Sequence, residues 1–200
     1  MEKASEQLEA DGGGRIAGAS QLERSQLDSL LRELAIDRGR VVRDGVIAQA
    51  STGSGKTAAF GLPVVEKLTA NFHAVQALVM CPTRELADQV TTEIRRLARA
   101  TANIKVVTLC GGVALRGQEQ SLQHGAHVVV GTPGRILDHL TRGNLRLDSV
   151  KTLVLDEADR MLDMGFYDDM KQLIAQCPTQ RQTLLFSATY PEGIAKLSAQ

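Results

Sequence analysis

At 200 residues the chain has the size of one α/β domain, and its 43% hydrophobic content supports a sizeable core built from aliphatic side chains, since aromatics reach only 3%. Twenty-three Lys and Arg balance 23 Asp and Glu, which excludes a global positive field and leaves nucleic acid only a local patch. Cys81, Cys110 and Cys177 are odd in number, widely spaced and without metal-ligand spacing. With no apolar run of about 18 residues and no signal-peptide core, they predict reduced thiols in a soluble cytoplasmic protein with no membrane partner. His124 and His127 stand close together before an apolar run and are expected in surface or turn roles rather than as ligands.

Residues 1–19 are polar and Gly-rich and read as a flexible leader. Ser20 and Glu23 have capping-box spacing, and Leu27, Leu30, Leu31 and Leu34 follow at helical intervals, which predicts a short amphipathic helix. Residues 37–44 are a charged connection. From residue 46 the texture changes to apolar runs at 46–50, 77–81, 106–109, 128–130, 153–155 and 183–186, separated by helix-like segments. Continuous rather than alternating runs indicate strands buried on both faces. The fold class expected is α/β, a doubly wound and mainly parallel sheet with helices on both faces. Ligands in such sheets bind beyond the carboxyl ends of the strands, where each polar cluster of this chain falls.

The first cluster is Ala50, Ser51, Thr52, Gly53, Ser54, Gly55, Lys56 and Thr57, between a strand-like run and a helix-like one. This is the phosphate-loop pattern. Gly53 and Gly55 let the backbone turn its N–H groups onto phosphate oxygens, and the helix start adds partial positive charge. Lys56 would reach the β and γ phosphates, and the Thr57 hydroxyl would ligate Mg²⁺. A glycine turn capping a helix would look the same locally, but it requires nothing downstream. Downstream, the run 152–155 ends in Asp156-Glu157. Asp156 can hold Mg²⁺ largely through water, and Glu157 can orient or deprotonate the water that attacks the γ-phosphate. Taken alone, the two acids could equally cap the next helix.

Asp156-Glu157-Ala158-Asp159 resembles the signature of the DEAD-box RNA helicases, and other motifs of that family's first RecA-like domain occur in order. They are the phosphate loop, Pro82-Thr83-Arg84-Glu85-Leu86-Ala87, Gly111-Gly112, Thr132-Pro133-Gly134-Arg135 and Ser187-Ala188-Thr189. The resemblance covers about residues 46–195 and has the look of bacterial members acting on ribosomal RNA. It implies a RecA-like P-loop NTPase domain over 45–200, with 1–44 a divergent segment and a second RecA-like domain absent from these 200 residues. It also implies ATP and Mg²⁺ as cofactors, RNA as partner, and Lys56, Asp156 and Glu157 as catalytic residues.

Thr83 with Arg84, and Thr132 with Gly134 and Arg135, each follow a strand and open a helix. A hydroxyl, a guanidinium and free helix N–H groups make a phosphate clamp, and Gly112 allows close backbone approach. Such contacts carry no base information, so RNA binding is expected to be sequence-independent. Internal salt bridges compete as a reading of Arg84 and Arg135, and Glu85 is expected to brace the loop. Ser187 and Thr189 are expected to hydrogen-bond Asp159 and couple hydrolysis to strand separation; capping the following helix is the competing reading. The family's adenine-reading segment is not recognisable, since no aromatic precedes Phe60 and no proline precedes Pro63, while Gln21, Gln26 and Glu33 stand in other contexts. The expected function is the ATP-binding domain of an RNA helicase, weakly active without its second domain. The alternatives are a catalytically silent nucleotide- or RNA-binding module and, less favoured by the motif set, a DNA translocase.

Overall fold

The computed structural model describes residues 46–49, 56–101, 103–189 and 192–198. The leader, the helix expected near Ser20 and the loop residues Ala50, Ser51, Thr52, Gly53, Ser54 and Gly55 lie outside the described residues. Six strands alternate with helices: β1 (Val46–Gln49), α1 (Lys56–Glu66), β2 (Ala77–Met80), α2 (Arg84–Leu97), β3 (Val106–Leu109), α3 (Leu115–Gln123) and β4 (Val128–Gly131). They continue as α4 (Pro133–Thr141), β5 (Thr152–Leu155), α5 (Ala158–Asp163), α6 (Tyr167–Gln176), β6 (Gln182–Ser187) and α7 (Glu192–Ser198). All strand pairs are parallel, and the spatial order is β1-β6-β5-β2-β4-β3.

Every apolar run predicted from the sequence became a strand, with ends shifted by a residue or two. β2, β4 and β5 are buried along their whole length, as two-sided burial requires. Because strand side chains alternate, Leu78, Met80, Leu153, Leu155 and Leu185 meet Ile136, Met161, Met170, Leu173 and Ile194 of α4 to α7 on one face. Val79, Val130, Val154, Leu184 and Phe186 meet Phe60 and Val64 of α1 and Val90 and Ile94 of α2 on the other. The Phe60 and Phe186 rings lie 5.4 Å apart, tilted by 44°. Fully burying each such side chain is worth about 1.5–3 kcal/mol.

Helix starts follow local chemistry. Thr83 caps α2, its Oγ1 accepting from the Leu86 N–H at 3.3 Å. Arg95 and Arg96 occupy the last turn of α2, where cations complement the helix dipole. Pro133 opens α4, where its missing N–H costs nothing. At the end of β4 only glycine fits, since a Cβ on Gly131 would stand 2.0 Å from the Leu109 carbonyl oxygen.

Of the surface or turn role expected for His127, the surface half is corrected: the residue stands in the bend before β4 and is 1% exposed. Its Nδ1 accepts from the Lys105 N–H at 3.0 Å and its Nε2 bonds the Ala70 carbonyl at 2.9 Å, so the ring staples two loops beneath the sheet. His124 is exposed and bonds the Gln120 carbonyl one helical turn back. All three cysteines are free and buried. Among the described residues, no helix is long and apolar enough to cross a membrane.

Candidate nucleotide and RNA site

Since the strands are parallel, their carboxyl ends form one edge, and the strand order sorts the motifs along it. The phosphate loop follows β1, Ser187-Ala188-Thr189 closes β6, and Asp156-Glu157 follows β5; these three strands are neighbours. Thr83-Arg84 follows β2, Thr132-Pro133-Gly134-Arg135 follows β4, and Gly111-Gly112 follows β3; these are the other three. Register aligns the ends: Gln49 opposes Ser187, Leu155 opposes both Leu185 and Met80, and Gly131 opposes both Met80 and Leu109. The groups suited to a nucleotide and those suited to a polyphosphate chain therefore occupy adjoining halves of a single edge.

In the first half, Lys56 begins α1, so the loop leads from a strand end into a helix N-terminus, the context the phosphate-loop motif requires. Thr57 is half-buried in the first turn. Asp156 is 2% exposed beyond β5, with its N–H donating to the Met80 carbonyl at 3.0 Å. The Thr57 hydroxyl and the Asp156 carboxylate are hard oxygen donors of the type Mg²⁺ takes, so the residues present fit that ion. Burial pushes the Cys81 thiol well above its ordinary range, and the charges of Asp156, Cys110 and Glu157 push it further.

Glu157 is left-handed, at φ 52° and ψ 51°, and is 8% exposed. A non-glycine residue there costs about 1–2 kcal/mol. It holds the N-cap position of α5 but makes no side-chain capping bond, so the helix-cap reading of this acid fails. Its Oε2 instead accepts from the Arg160 guanidinium at 3.2 Å. The sharp turn lifts Asp156 and Glu157 out of the strand at the functional edge.

Asp159 meets the end of β6. Its Oδ2 accepts from the Thr189 N–H and from the Thr189 hydroxyl, each at 2.9 Å. Ser187 acts differently from expectation: its hydroxyl accepts from the Asp159 backbone N–H at 3.3 Å and donates to the Thr189 carbonyl. Partial burial raises the Asp159 carboxyl, but the bonds from the Thr189 hydroxyl and N–H and from the Arg160 N–H outweigh it and hold the group below its ordinary value.

In the second half, Arg84 forms the internal pair that its competing reading required, at 3.6 Å from Asp88, but both side chains are at least half exposed. Such a pair is worth at most about 1 kcal/mol and leaves the guanidinium free to exchange partners. Gly112 has φ +73°, and a Cβ there would lie 3.6 Å from the Arg84 guanidinium, so the Gly111-Gly112 turn and α2 converge. Thr83 uses a lone pair for its cap and keeps its O–H to donate. Thr132 makes no capping bond with its side chain, and Gly134 packs by Phe166 and Asp169. Glu85, expected to brace the loop, is exposed in the first turn of α2, where its charge faces the positive helix end.

Arg135 is anchored by a residue the sequence pattern does not single out. Its Nη1 donates at 3.2 Å to the Val113 carbonyl and to Gln118 Oε1. The buried Gln118 also donates through Nε2 to the Cys110 carbonyl at 2.9 Å. That bond fixes the amide orientation, so Oε1 must accept from His139 Nε2 at 2.9 Å as well as from Arg135. His139 is fully buried; burial and the Arg135 charge lower its pKa, which keeps the ring neutral. The available signal was an amide on the apolar stripe of Leu115, Gln118 and Leu122.

A family model described as DEAD/DEAH box helicase matches residues 32–197. The chain belongs to this family. The match reaches further upstream than the motif run that begins near residue 46. Among relatives, the ATP-dependent RNA helicase DbpA of Escherichia coli K12 is 57% identical over 166 residues, covering 83% of this chain and 35% of the relative. The DEAD-box ATP-dependent RNA helicase CshA of Geobacillus kaustophilus is 52% identical over 153 residues, covering 76% of this chain and 32% of the relative. The chain thus spans about a third of the length of these relatives. A crystal structure of a DEAD box protein from Methanococcus jannaschii is 37% identical, with a TM-score of 0.78 over 92% of this chain and 52% of that one. A hypothetical ATP-dependent RNA helicase from Sulfolobus tokodaii is 35% identical, with a TM-score of 0.74 over all of this chain and 54% of that one. The sheet is accordingly the RecA-like fold of DEAD-box proteins.

Proposed function

We propose that the chain is the ATP-binding domain, residues 45–200, of an ATP-dependent RNA helicase that couples RNA-stimulated hydrolysis to local duplex opening, on ribosomal RNA in the cytoplasm. The observation that carries this reading is the sorting of motifs along one sheet edge, with the β6 end bonded to Asp159 beside the acid pair. In this reading the loop from Ala50 to Thr57 cradles the phosphates, and Lys56 reaches the β and γ groups. Thr57 and Asp156 hold Mg²⁺, which when bound draws off the charge building on the transferred phosphate. Glu157 takes the proton of the attacking water, its carboxylate paired with Arg160.

Thr83, Arg84, Gly112, Thr132, Gly134 and Arg135 grip the sugar-phosphate chain without reading bases. Asp159, Ser187 and Thr189 tie the ends of β5 and β6 together beside the nucleotide groups, and in this reading they couple a change at the γ-phosphate to strand separation. A second RecA-like domain would close over both halves and supply an arginine finger, worth about 10³–10⁵ in rate in related systems. The 200 residues alone would therefore bind nucleotide and RNA weakly and hydrolyse ATP slowly. The 57% identity to the ATP-dependent RNA helicase DbpA supports RNA as the substrate class.

The test is RNA-stimulated ATP turnover of this domain joined to a second RecA-like domain. Glu157→Gln is expected to cut kcat by about 10²-fold or more while sparing nucleotide affinity, and Lys56→Ala to weaken nucleotide binding as well. Unchanged turnover in both variants would remove the assigned roles. Calorimetry with Mg-ADP on the 200-residue chain tests occupancy apart from turnover.

A further inference from the structure

Among the described residues β3 is the last strand of the sheet and pairs on one side only, with β4. Along its open side runs a groove of about 710 Å³, walled by the end of α2 on one flank and by α3 on the other. Its lining holds three cations, Arg95, Arg99 and Lys105, together with Asn103, Thr108 and Ser121, and no carboxylate among the described residues. In a chain of zero net charge this is a local positive surface of the kind the composition left room for.

Two of the cations are already oriented. Arg95 Nη2 donates to the Val106 carbonyl at 2.8 Å, and Lys105 Nζ donates to the Ser121 carbonyl at 2.7 Å, each tying a groove wall to its neighbour. Both are held in place by these bonds, so less side-chain entropy is lost when an anion arrives. The carbonyls of Lys105 and Leu109 point the other way and accept from β4 and its flanks, which leaves the intervening edge to the groove.

The groove also has a direction. Thr108 lies two residues before Cys110, and the clamp turn Gly111-Gly112 follows at once. We propose that the groove carries the flanking part of an RNA strand whose neighbouring nucleotides are held in the Arg84–Gly112–Arg135 clamp. This rests on the RNA reading given above and extends it down the sheet edge. The donors present, guanidinium, ammonium, amide and hydroxyl, are those that grip phosphate and sugar, and no aromatic lines the groove for base stacking. Four strand residues span ~13 Å, room for a few successive phosphates of one strand. The continuity with the clamp favours RNA over an acidic peptide pairing with the β3 edge.

The experiment is fluorescence anisotropy of this chain with labelled single-stranded RNA of roughly six and roughly twelve nucleotides, across a salt series. The variants are Arg99→Glu, at an exposed position, and Asn103→Asp, whose φ of 66° both residue types tolerate. Circular dichroism confirms that each is folded. The expected result is about tenfold weaker binding of the longer RNA at low salt in the double variant, with the log–log salt slope reduced by about 0.7 for each phosphate no longer gripped. The shorter RNA should bind as in the parent. Parent-like affinity and slope for the longer RNA overturn the proposal. So does an aspartate-rich peptide that binds the parent and not the double variant while the RNA slopes stay put. Arg84→Ala should weaken both lengths. If it leaves the shorter RNA unaffected, the clamp reading itself falls and the groove's role as its extension falls with it.

Discussion

Gln118 shows how one buried amide can set the geometry of a charged neighbour. It spends a donor on the Cys110 carbonyl and its oxygen on both Arg135 and His139, so the end of β3 and the first turn of α4 cannot move apart independently. Gln118→Ala should cost about 1–3 kcal/mol, read from the denaturant midpoint, because a buried carbonyl loses its partner. RNA affinity should fall as Arg135 loses its anchor, while Mg-ADP affinity should stay at the parent value. Asp159 supplies a pH signature. Its folded pKa is depressed below the ordinary 3.8, so its contribution is present above that value and is lost as the pH falls through the depressed one. The melting temperature of Asp159→Asn should therefore lie below the parent's near neutrality, and the two should converge in acid. A constant gap down to the lowest pH at which the parent folds would show that the latch does not depend on the ionised carboxylate.

At the scale of elements, the β3–β4 pair is the most demanding junction. Gly131 ends β4 with no space for a Cβ beside the Leu109 carbonyl, and the Thr132 N–H donates to that same carbonyl at 3.0 Å. Gly131→Ala must push the two strand ends apart, which should destabilise by about 3 kcal/mol or more in urea unfolding. Gly111→Ala is the matched control, since a Cβ there meets nothing within 4 Å and stability should hardly change. Equal midpoints for the two variants would mean that the strand ends relax freely. The apolar runs made all six strands legible, because burial on both faces leaves a continuous signal that needs no knowledge of partners. Glu157 stood out in the sequence as a candidate acid but not as a left-handed residue, since nothing in Asp156-Glu157-Ala158 marks that turn. The burial of His127 was hidden for the opposite reason: its two partners, Lys105 and Ala70, are far from it in sequence.

Across the whole molecule, the thiols report on the integrity of the packing. Burial pushes Cys81 well above its ordinary value, raises Cys110, and lifts Cys177 to about 11. None should react with iodoacetamide at pH 8 in the native chain, and all three should react in denaturant. Rapid native labelling of Cys81 would show that the space beside Asp156 opens to solvent. The motifs and the apolar runs that became strands were determined by the sequence alone, because each depends on residues close together in the chain. The placement of the motifs along the edge was decided only by tertiary structure. β6 comes last in sequence yet inserts between β1 and β5, and β2 turns away toward β4 and β3. Parallel pairing is a long-range choice among crossovers, so no local pattern could reveal that the phosphate loop, the acid pair and Thr189 would share one half while the turns at Thr83-Arg84, Gly111-Gly112 and Thr132-Arg135 gathered in the other.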